Sequence, residues 1–268
     1  YTIYDALMRE RQTQRTGING GRVITQKTYD SRGLLTVDDA DVTDSASPAG
    51  TLAVVNSLSV PAETTTTYDG TNRPTTVAFL VNGTERWRTN TSYSGLTTTV
   101  TPPQGGTLTE ATSNARNQVV EEKDYVGTTK TGSYLDSQST YDVTGRLIAR
   151  SQAEGSDTGL APPDSWKWTY DYRGNQTSTT DPDSGTTTFT FDQNDRLQTR
   201  TLSTGQSVLF SYDAAGRKTN EYSGTTAVDS AKLASWTYDT LAKGALTSAT
   251  RYVGGTTGSA YVNTITSY

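Results

Sequence analysis

A seven-residue phrase recurs along this chain and limits what it can fold into more than any other feature. An aromatic residue and Asp come first, then two variable residues, then a residue that tolerates a left-handed backbone. Arg and an apolar or amide residue often follow. Clear copies are Tyr141-Asp142-Val143-Thr144-Gly145-Arg146-Leu147, Tyr170-Asp171-Tyr172-Arg173-Gly174-Asn175-Gln176 and Tyr212-Asp213-Ala214-Ala215-Gly216-Arg217-Lys218. Looser copies are Tyr29-Asp30-Ser31-Arg32-Gly33-Leu34, Tyr68-Asp69-Gly70-Thr71-Asn72-Arg73 and Phe191-Asp192-Gln193-Asn194-Asp195-Arg196-Leu197. Such repetition makes the architecture an array of one small unit, and residues repeated for folding are not residues placed once for chemistry.

The phrase reads as a hairpin turn. Asp at the head of a type I turn accepts a hydrogen bond from the main chain two residues on. The fifth residue falls where a three-residue loop closed by a bulge needs positive φ. Gly33, Asn72, Gly145, Gly174, Asp195 and Gly216 stand there, the residue types that region admits most readily. Trp166, Trp168 and Tyr170 alternate along one strand face, and Phe189 with Phe191, Phe210 with Tyr212, and Trp236 with Tyr238 repeat the step. The aromatic residue should face the residue two after the turn glycine: Leu147 for Tyr141, Leu197 for Phe191, Gln176 for Tyr170.

The aromatic places fall at residues 4, 29, 68, 141, 170, 191, 212 and 238, with eroded copies near Tyr93 and Thr112. The wide interval from Tyr29 to Tyr68 implies an insertion over about 38–61. Two copies depart from the pattern. Met8 replaces the turn glycine, and Tyr238-Asp239 has two extra residues before Gly244, so both hairpins are predicted to use different turns. No helical periodicity extends over a useful length. The expected fold is all-β: consecutive hairpins in one strongly curved antiparallel sheet across residues 1–268, with both terminal strands open for continuation.

Composition agrees. Thr supplies 53 of 268 residues, a β-branched hydroxyl residue suited to half-exposed strands. Only 32% of residues are hydrophobic, which predicts a thin sheet with much wet surface. Disorder is the competing reading of so polar a chain, and 16 Tyr and 4 Trp at regular strand places argue against it. A net charge of −5 disfavours nucleic acid as partner, and no apolar run is long enough for a membrane-spanning helix.

The chain opens inside a repeat at Tyr1-Thr2-Ile3-Tyr4-Asp5 and closes at Ser267-Tyr268, which predicts a piece of a longer protein, its export signal elsewhere. The stretch Ala260–Tyr268 is uncharged and rich in strand formers. Such an edge is expected to be covered by further repeats or neighbouring copies, and to make the isolated chain associate.

These residues resemble the RHS or YD-repeat family, whose phrase is Tyr-Asp-x-x-Gly-Arg-Leu. The resemblance covers nearly the whole chain, weakest from Ser94 to Gln138 and after Leu246. Stretches such as Thr180-Asp181-Pro182-Asp183-Ser184-Gly185-Thr186 before Phe189-Thr190-Phe191-Asp192 look like the family's linking segments. It implies a long β-sheet spiralling into a hollow shell. Members include bacterial polymorphic toxins, toxin-complex subunits that encapsulate a toxic C-terminal domain, wall-associated proteins and animal teneurins. This chain would then be shell wall of a secreted or surface protein, without enzymatic activity or cofactor, partnered by further repeats and a toxin cargo. The alternative is an adhesion module for carbohydrate or cell surfaces; a β-helical polysaccharide enzyme is a poorer third.

Candidate sites are few. The chain has no His and no Cys, which excludes a Ser-His-Asp triad, a Cys-His dyad and His-ligated zinc. Asp157-Thr158-Gly159 spells the aspartic-protease tripeptide once, where that chemistry needs two carboxylates sharing a proton. Asp181-Pro182-Asp183-Ser184-Gly185 reads as a turn between hairpins. Asp38, Asp39, Asp41 and Asp44 could offer oxygen ligands to Ca²⁺, although their spacing matches no EF-hand and a solvated acidic loop is the simpler reading. Exposed Trp and Tyr could stack on sugar rings, against the simpler expectation that they pack the sheet.

Overall fold

The computed structural model describes residues 1–18, 20–156, 159–160 and 163–268. Asp157 and Thr158 of the protease-like tripeptide lie outside the described residues. The chain divides into two units, Tyr1–Gln138 with Ala153–Pro162, and Ser139–Gln152 with Pro163–Tyr268.

The first unit is a meander of β1 (Thr2–Tyr4), β2 (Glu10–Thr16), β3 (Arg22–Tyr29), β4 (Leu35–Asp44), β5 (Ala62–Tyr68), β6 (Pro74–Val81), β7 (Thr84–Ser94), β8 (Thr97–Thr101), β9 (Leu108–Ser113), β10 (Val119–Tyr125) and the part of β11 (Tyr134–Tyr141) up to Gln138. Each strand pairs antiparallel with the next. The end of β12 (Leu147–Ser156) also belongs here and pairs with the short β13 (Gly159–Leu160).

In the second unit the start of β12 pairs with β14 (Asp164–Tyr170). The same antiparallel succession then runs through β15 (Gln176–Asp181), β16 (Gly185–Phe191), β17 (Leu197–Thr201), β18 (Ser207–Tyr212), β19 (Lys218–Ser223), β20 (Lys232–Tyr238), β21 (Leu246–Val253) and β22 (Ser259–Thr264). Helix among the described residues is confined to three 3-10 turns at Ser57–Ser59, Asp229–Ala231 and Gly255–Thr257. None of it is long and apolar enough to cross a membrane.

The turn chemistry explains the meander. Gly33, Asn72, Gly145, Gly174, Asp195 and Gly216 all have φ between 59° and 97°. In each of these turns the Asp amide is bonded to the carbonyl of the sixth phrase residue, as in Asp213 N–H to Arg217 O at 3.0 Å. The ladder shifts register immediately before the aromatic residue, so that Tyr170 faces Gln176, Phe191 faces Leu197 and Tyr212 faces Lys218. That is the bulge the loop length requires.

Met8 corrects one expectation. It takes φ 60°, and Asp5 and Arg9 close the same turn as the glycine copies. The aspartate and arginine hold the backbone even where the fifth residue is unfavourable. The hairpin after Asp239 does differ, with its loop closed by Ala245 and a second positive φ at Gly244. Asn114 to Gln118 keeps the common turn with Asn117 at φ 61°, which puts Ser113 in the aromatic place. At Tyr93 the loop is shorter, with Ser94 facing Thr97.

The core is thin. In the first unit Ile24, Val42 and Val60 are buried together, with Ala53 and Val55 packed on them. Val60, Ala53 and Val55 come from the 45–61 connection, which folds back over the strands; residues 38–44 belong to β4, which bulges where Asp41 takes φ 49°. Two glutamines anchor it. Gln12, wholly buried, accepts from Ala53 N–H at 2.8 Å and donates to Ala53 O at 3.0 Å. Gln14, equally buried, accepts from Ala49 N–H and donates to Thr51 O. An amide side chain carries the donor and acceptor of a peptide group, so the two glutamines treat the strap as another strand. Hydroxyl pairs such as Thr13 with Thr25 and Thr190 with Thr199 tie neighbouring strands elsewhere, each worth about 0.2–1 kcal/mol.

Candidate functional site

Phrase turns alternate with the other connections, so within each meander all of them fall on one edge. This edge is where the repeated side chains meet. The Asp of each phrase holds its own loop: Asp142 Oδ1 accepts from Thr144 N–H and Arg146 N–H, both at 2.9 Å, and Oδ2 accepts from Arg146 Nε at 2.7 Å. Asp5, Asp69 and Asp192 repeat the arrangement with Arg9, Arg73 and Arg196. Donors on every side hold these carboxyls below the usual range. The Arg9 amide is the main cause for Asp5, the Arg217 amide for Asp213, and the Thr144 hydroxyl for Asp142.

The same arginine then reaches the next hairpin. Its guanidinium lies over the following aromatic ring, 4.5 Å from the centroid for Arg9 over Tyr29, 4.0 Å for Arg73 over Tyr93 and 4.7 Å for Arg146 over Tyr170. Arg196 over Tyr212 and Arg217 over Tyr238 continue the series. Each tyrosine hydroxyl in turn donates to the carbonyl just after that arginine: Tyr29 to Glu10, Tyr93 to Pro74, Tyr170 to Leu147, Tyr212 to Leu197 and Tyr238 to Lys218. Tyr268 donates to Leu246 in the same way. Guanidinium tips complete the link, with Arg146 donating to Asp171 O and Arg196 to Asp213 O.

In two phrases whose sixth place is not Arg, an arginine stands at the fourth. Arg32, in the phrase with Leu34, donates to Asp69 O at 2.6 Å and to Asn72 Oδ1. Arg173, in the phrase with Asn175, donates to Gln193 O and Asp195 Oδ1, while Asn175 bonds both Asp171 and Asp195. Arg217 grips the Asp239 carboxylate through two nitrogens, which lowers that acid to about 2. Asp, Arg and Tyr therefore each have one place in a staple between consecutive hairpins. It is a geometry for stacking turns, with its carboxylates fully engaged.

The remaining candidates do not gather into a centre. Asp38 faces Lys27, Asp41 pairs with Arg15 at 2.9 Å and Asp44 with Arg22 at 2.8 Å. Asp39 alone is buried, opposite Gln26 and Glu63. Among the described residues no three acidic side chains assemble as a metal-holding group. Asp181 caps its own tight turn, accepting from Asp183 N–H and Ser184 N–H, and its other oxygen takes the Trp166 indole N–H at 2.9 Å. Trp166, Trp168 and Tyr170 are half-buried on one face, between exposed Lys167 and Thr169.

Sequence reasoning placed the Asp and the turn glycines but gave the phrase arginine no partner. No fixed spacing marked that partner, since the next aromatic residue lies anywhere from 16 residues (Arg196 to Tyr212) to 24 residues (Arg146 to Tyr170) beyond the arginine. Nothing in the sequence marked Gln12 and Gln14.

Residues 170–206 match the family model for the RHS repeat, a span holding the Tyr170 and Phe191 phrases. The chain therefore contains an RHS repeat. No curated protein matches. Among solved structures, the crystal structure of TcdB2-TccC3 is similar with a TM-score of 0.62 and 16% identity over 95% of this chain. That of TcdB2-TccC3 without its hypervariable C-terminal region gives 0.60 and 17% over 88%. At these identities the likeness is one of fold. The chain spans 15% and 13% of the length of those two chains.

Proposed function

We propose that this chain is a non-enzymatic wall segment of an exported RHS-type protein whose hairpins enclose a C-terminal cargo, a toxic domain in the first instance. The observation that carries the reading is the staple: the repeated Asp, Arg and Tyr are consumed in joining each hairpin to the next, as in Arg196 with Asp192, Tyr212 and Asp213. A sheet extended by such joints grows by adding repeats. The RHS repeat at 170–206 and the fold likeness to TcdB2-TccC3 support the same reading, and one similar structure is described as lacking a hypervariable C-terminal region.

A saccharide-binding wall is the second reading. It is favoured by a shallow groove of about 480 Å³ where Trp236 and Tyr261 flank Ala234 and Ala249, with Arg251 and Asn263 beside them.

Limited proteolysis of the full-length parent protein tests enclosure. The reading expects a domain downstream of the repeats that resists protease in the intact protein and is digested once the sheet is unfolded. Digestion of that domain at equal rates in both states contradicts enclosure, as does a reading frame that ends after the repeats. Glycan-array binding abolished by Trp236→Ala would favour the second reading.

A further inference from the structure

One buried hydrogen-bond network joins the strap to a pair of acids. Gln12, which holds Ala53 N–H and O, gives its other amide proton to Gln26 Oε1 at 3.0 Å. Gln26 turns its own amide to Asp39 Oδ2 in a longer contact at 3.4 Å. Asp39 on β4 faces Glu63 on β5 directly across the ladder, their carboxyls in hydrogen-bond contact. Asp39 is 3% exposed and Glu63 8%, and no N–H donor reaches Asp39 Oδ1. Two carboxylates can only accept, so a bond between them needs a proton on one. No cation stands in for that proton. Lys27 points to the other face of β3 and pairs with Glu10, Arg22 holds Asp44 and Gln14, and Arg15 holds Asp41. Asp38 beside the pair adds negative charge. Leu80 on β6 faces Glu63, and Glu85 on β7 beyond it is held by Arg88. The strap, residues 45–61, carries no charged residue.

We propose that the strap is a proton-held flap, closed while Asp39 and Glu63 share a proton and loosened once the pair loses it. The proton passes to solvent, and no bond between heavy atoms changes. What remains is two adjacent carboxylates, and like charges held out of water are costly. Relief requires water at the pair. In a single sheet, burial on one face comes from whatever lies over it. Here the strap crosses the neighbouring row of Gln14, Ile24 and Val42. Lifting it admits solvent and gives up its bonds to Gln12 and Gln14. Burial first, then the Glu63 charge, raises Asp39 to about 6, above the ordinary carboxyl value near 4. The closed strap therefore has its full hold below about pH 4 and loses it as pH rises through about 6. The inference stands apart from the reading of the chain as a wall.

Hydrogen exchange of the 268-residue protein at about pH 4.5 and about pH 7.5, each rate divided by that of the free peptide, is the test. The Ala53 amide and its neighbours in 49–55 are expected to exchange by local opening, faster than Ile24 and Val42 beneath them. Their protection should fall roughly tenfold or more from the lower pH to the higher. Asp39→Asn and Glu63→Gln each replace the shared proton by a fixed amide donor. Both should keep the strap protected at either pH while preserving the far-UV spectrum of the sheet. Asp41→Asn, which removes an exposed ion pair with Arg15, should keep the wild-type response. Equal protection of 49–55 in the wild type at the two pH values overturns the proposal. So does a pH response that survives in both pair variants. So does an Ala53 amide that exchanges no faster than Ile24 at the higher pH, since the strap would then open only by global unfolding.

Discussion

Arg196 and Tyr212 belong to consecutive hairpins and join them twice. The guanidinium lies 4.9 Å from the centre of the Tyr212 ring, and the Tyr212 hydroxyl donates at 2.8 Å to Leu197 O, the carbonyl next to the arginine. Arg196 also clamps Asp192 inside its own turn, so one side chain ties the loop to the neighbouring hairpin. The repeat unit is thus a hairpin together with its grip on the next.

The turn itself makes the simplest test. Gly216 sits at φ 82° with open space where a side chain would go, so substitution there reports backbone strain alone. Gly216→Val is expected to destabilise the second unit by more than about 1 kcal/mol, and Gly216→Asn by less. Denaturant midpoints check this; equal midpoints for glycine and valine would remove the positive-φ requirement.

Gln12 offers a second test. Gln12→Leu keeps the volume but leaves Ala53 N–H and O without their partner, at a cost of roughly 2 kcal/mol or more. The strap should then open locally. Hydrogen exchange at the Ala53 amide is expected to accelerate, and protease to cut within 49–55 before the strands. Unchanged exchange would mean that apolar packing on Ile24 and Val42 suffices.

Acid should strengthen the first unit before it weakens the whole. Burial first, then the Glu63 charge, raises Asp39 to about 6. Its folded value exceeds its unfolded value, so the charged form costs stability at neutral pH. That cost is relieved as pH falls through about 6 and is gone below about 4, a gain on the order of 2–3 kcal/mol. Asp38 on the same strand also raises Asp39, the Gln26 amide lowers it, and Lys27 is committed to Glu10. The turn aspartates act with opposite sign. Asp5, Asp69, Asp142 and Asp213 are lowered, so their contribution is complete above about pH 4 and is lost on further acidification. Stability measured against pH should therefore rise from pH 7 towards about 4 and then fall. Asp39→Asn should abolish the rise and spare the fall; an identical rise in that variant would assign it to another group.

Much of this was legible in the sequence because the turn admits few residue types. Gly33, Asn72, Asp195 and their equivalents disclosed positive φ by chemistry alone, and the bulge followed from the spacing to Leu197 or Gln176. Met8 misled because the fifth residue is only one of three determinants, and Asp5 with Arg9 supplied the other two. The staple was illegible since its contacts join residues of separate hairpins, and a phrase read singly shows only its internal bonds. The Asp39–Glu63 pair was hidden for another reason. The 45–61 connection separates β4 from β5, and no sequence pattern fixes register across such an excursion.

The account stands most directly on whether the phrase couples hairpins, and a double-mutant cycle measures that. Arg196→Gln, Tyr212→Leu and the double variant are compared with the parent by denaturant unfolding. A favourable coupling of roughly 0.5–1 kcal/mol or more is expected, whereas a cycle between Arg196 and Tyr238, two hairpins on, should be additive. Additive effects for Arg196 and Tyr212 themselves would contradict the staple, and with it the reading of the repeat as a joint between hairpins.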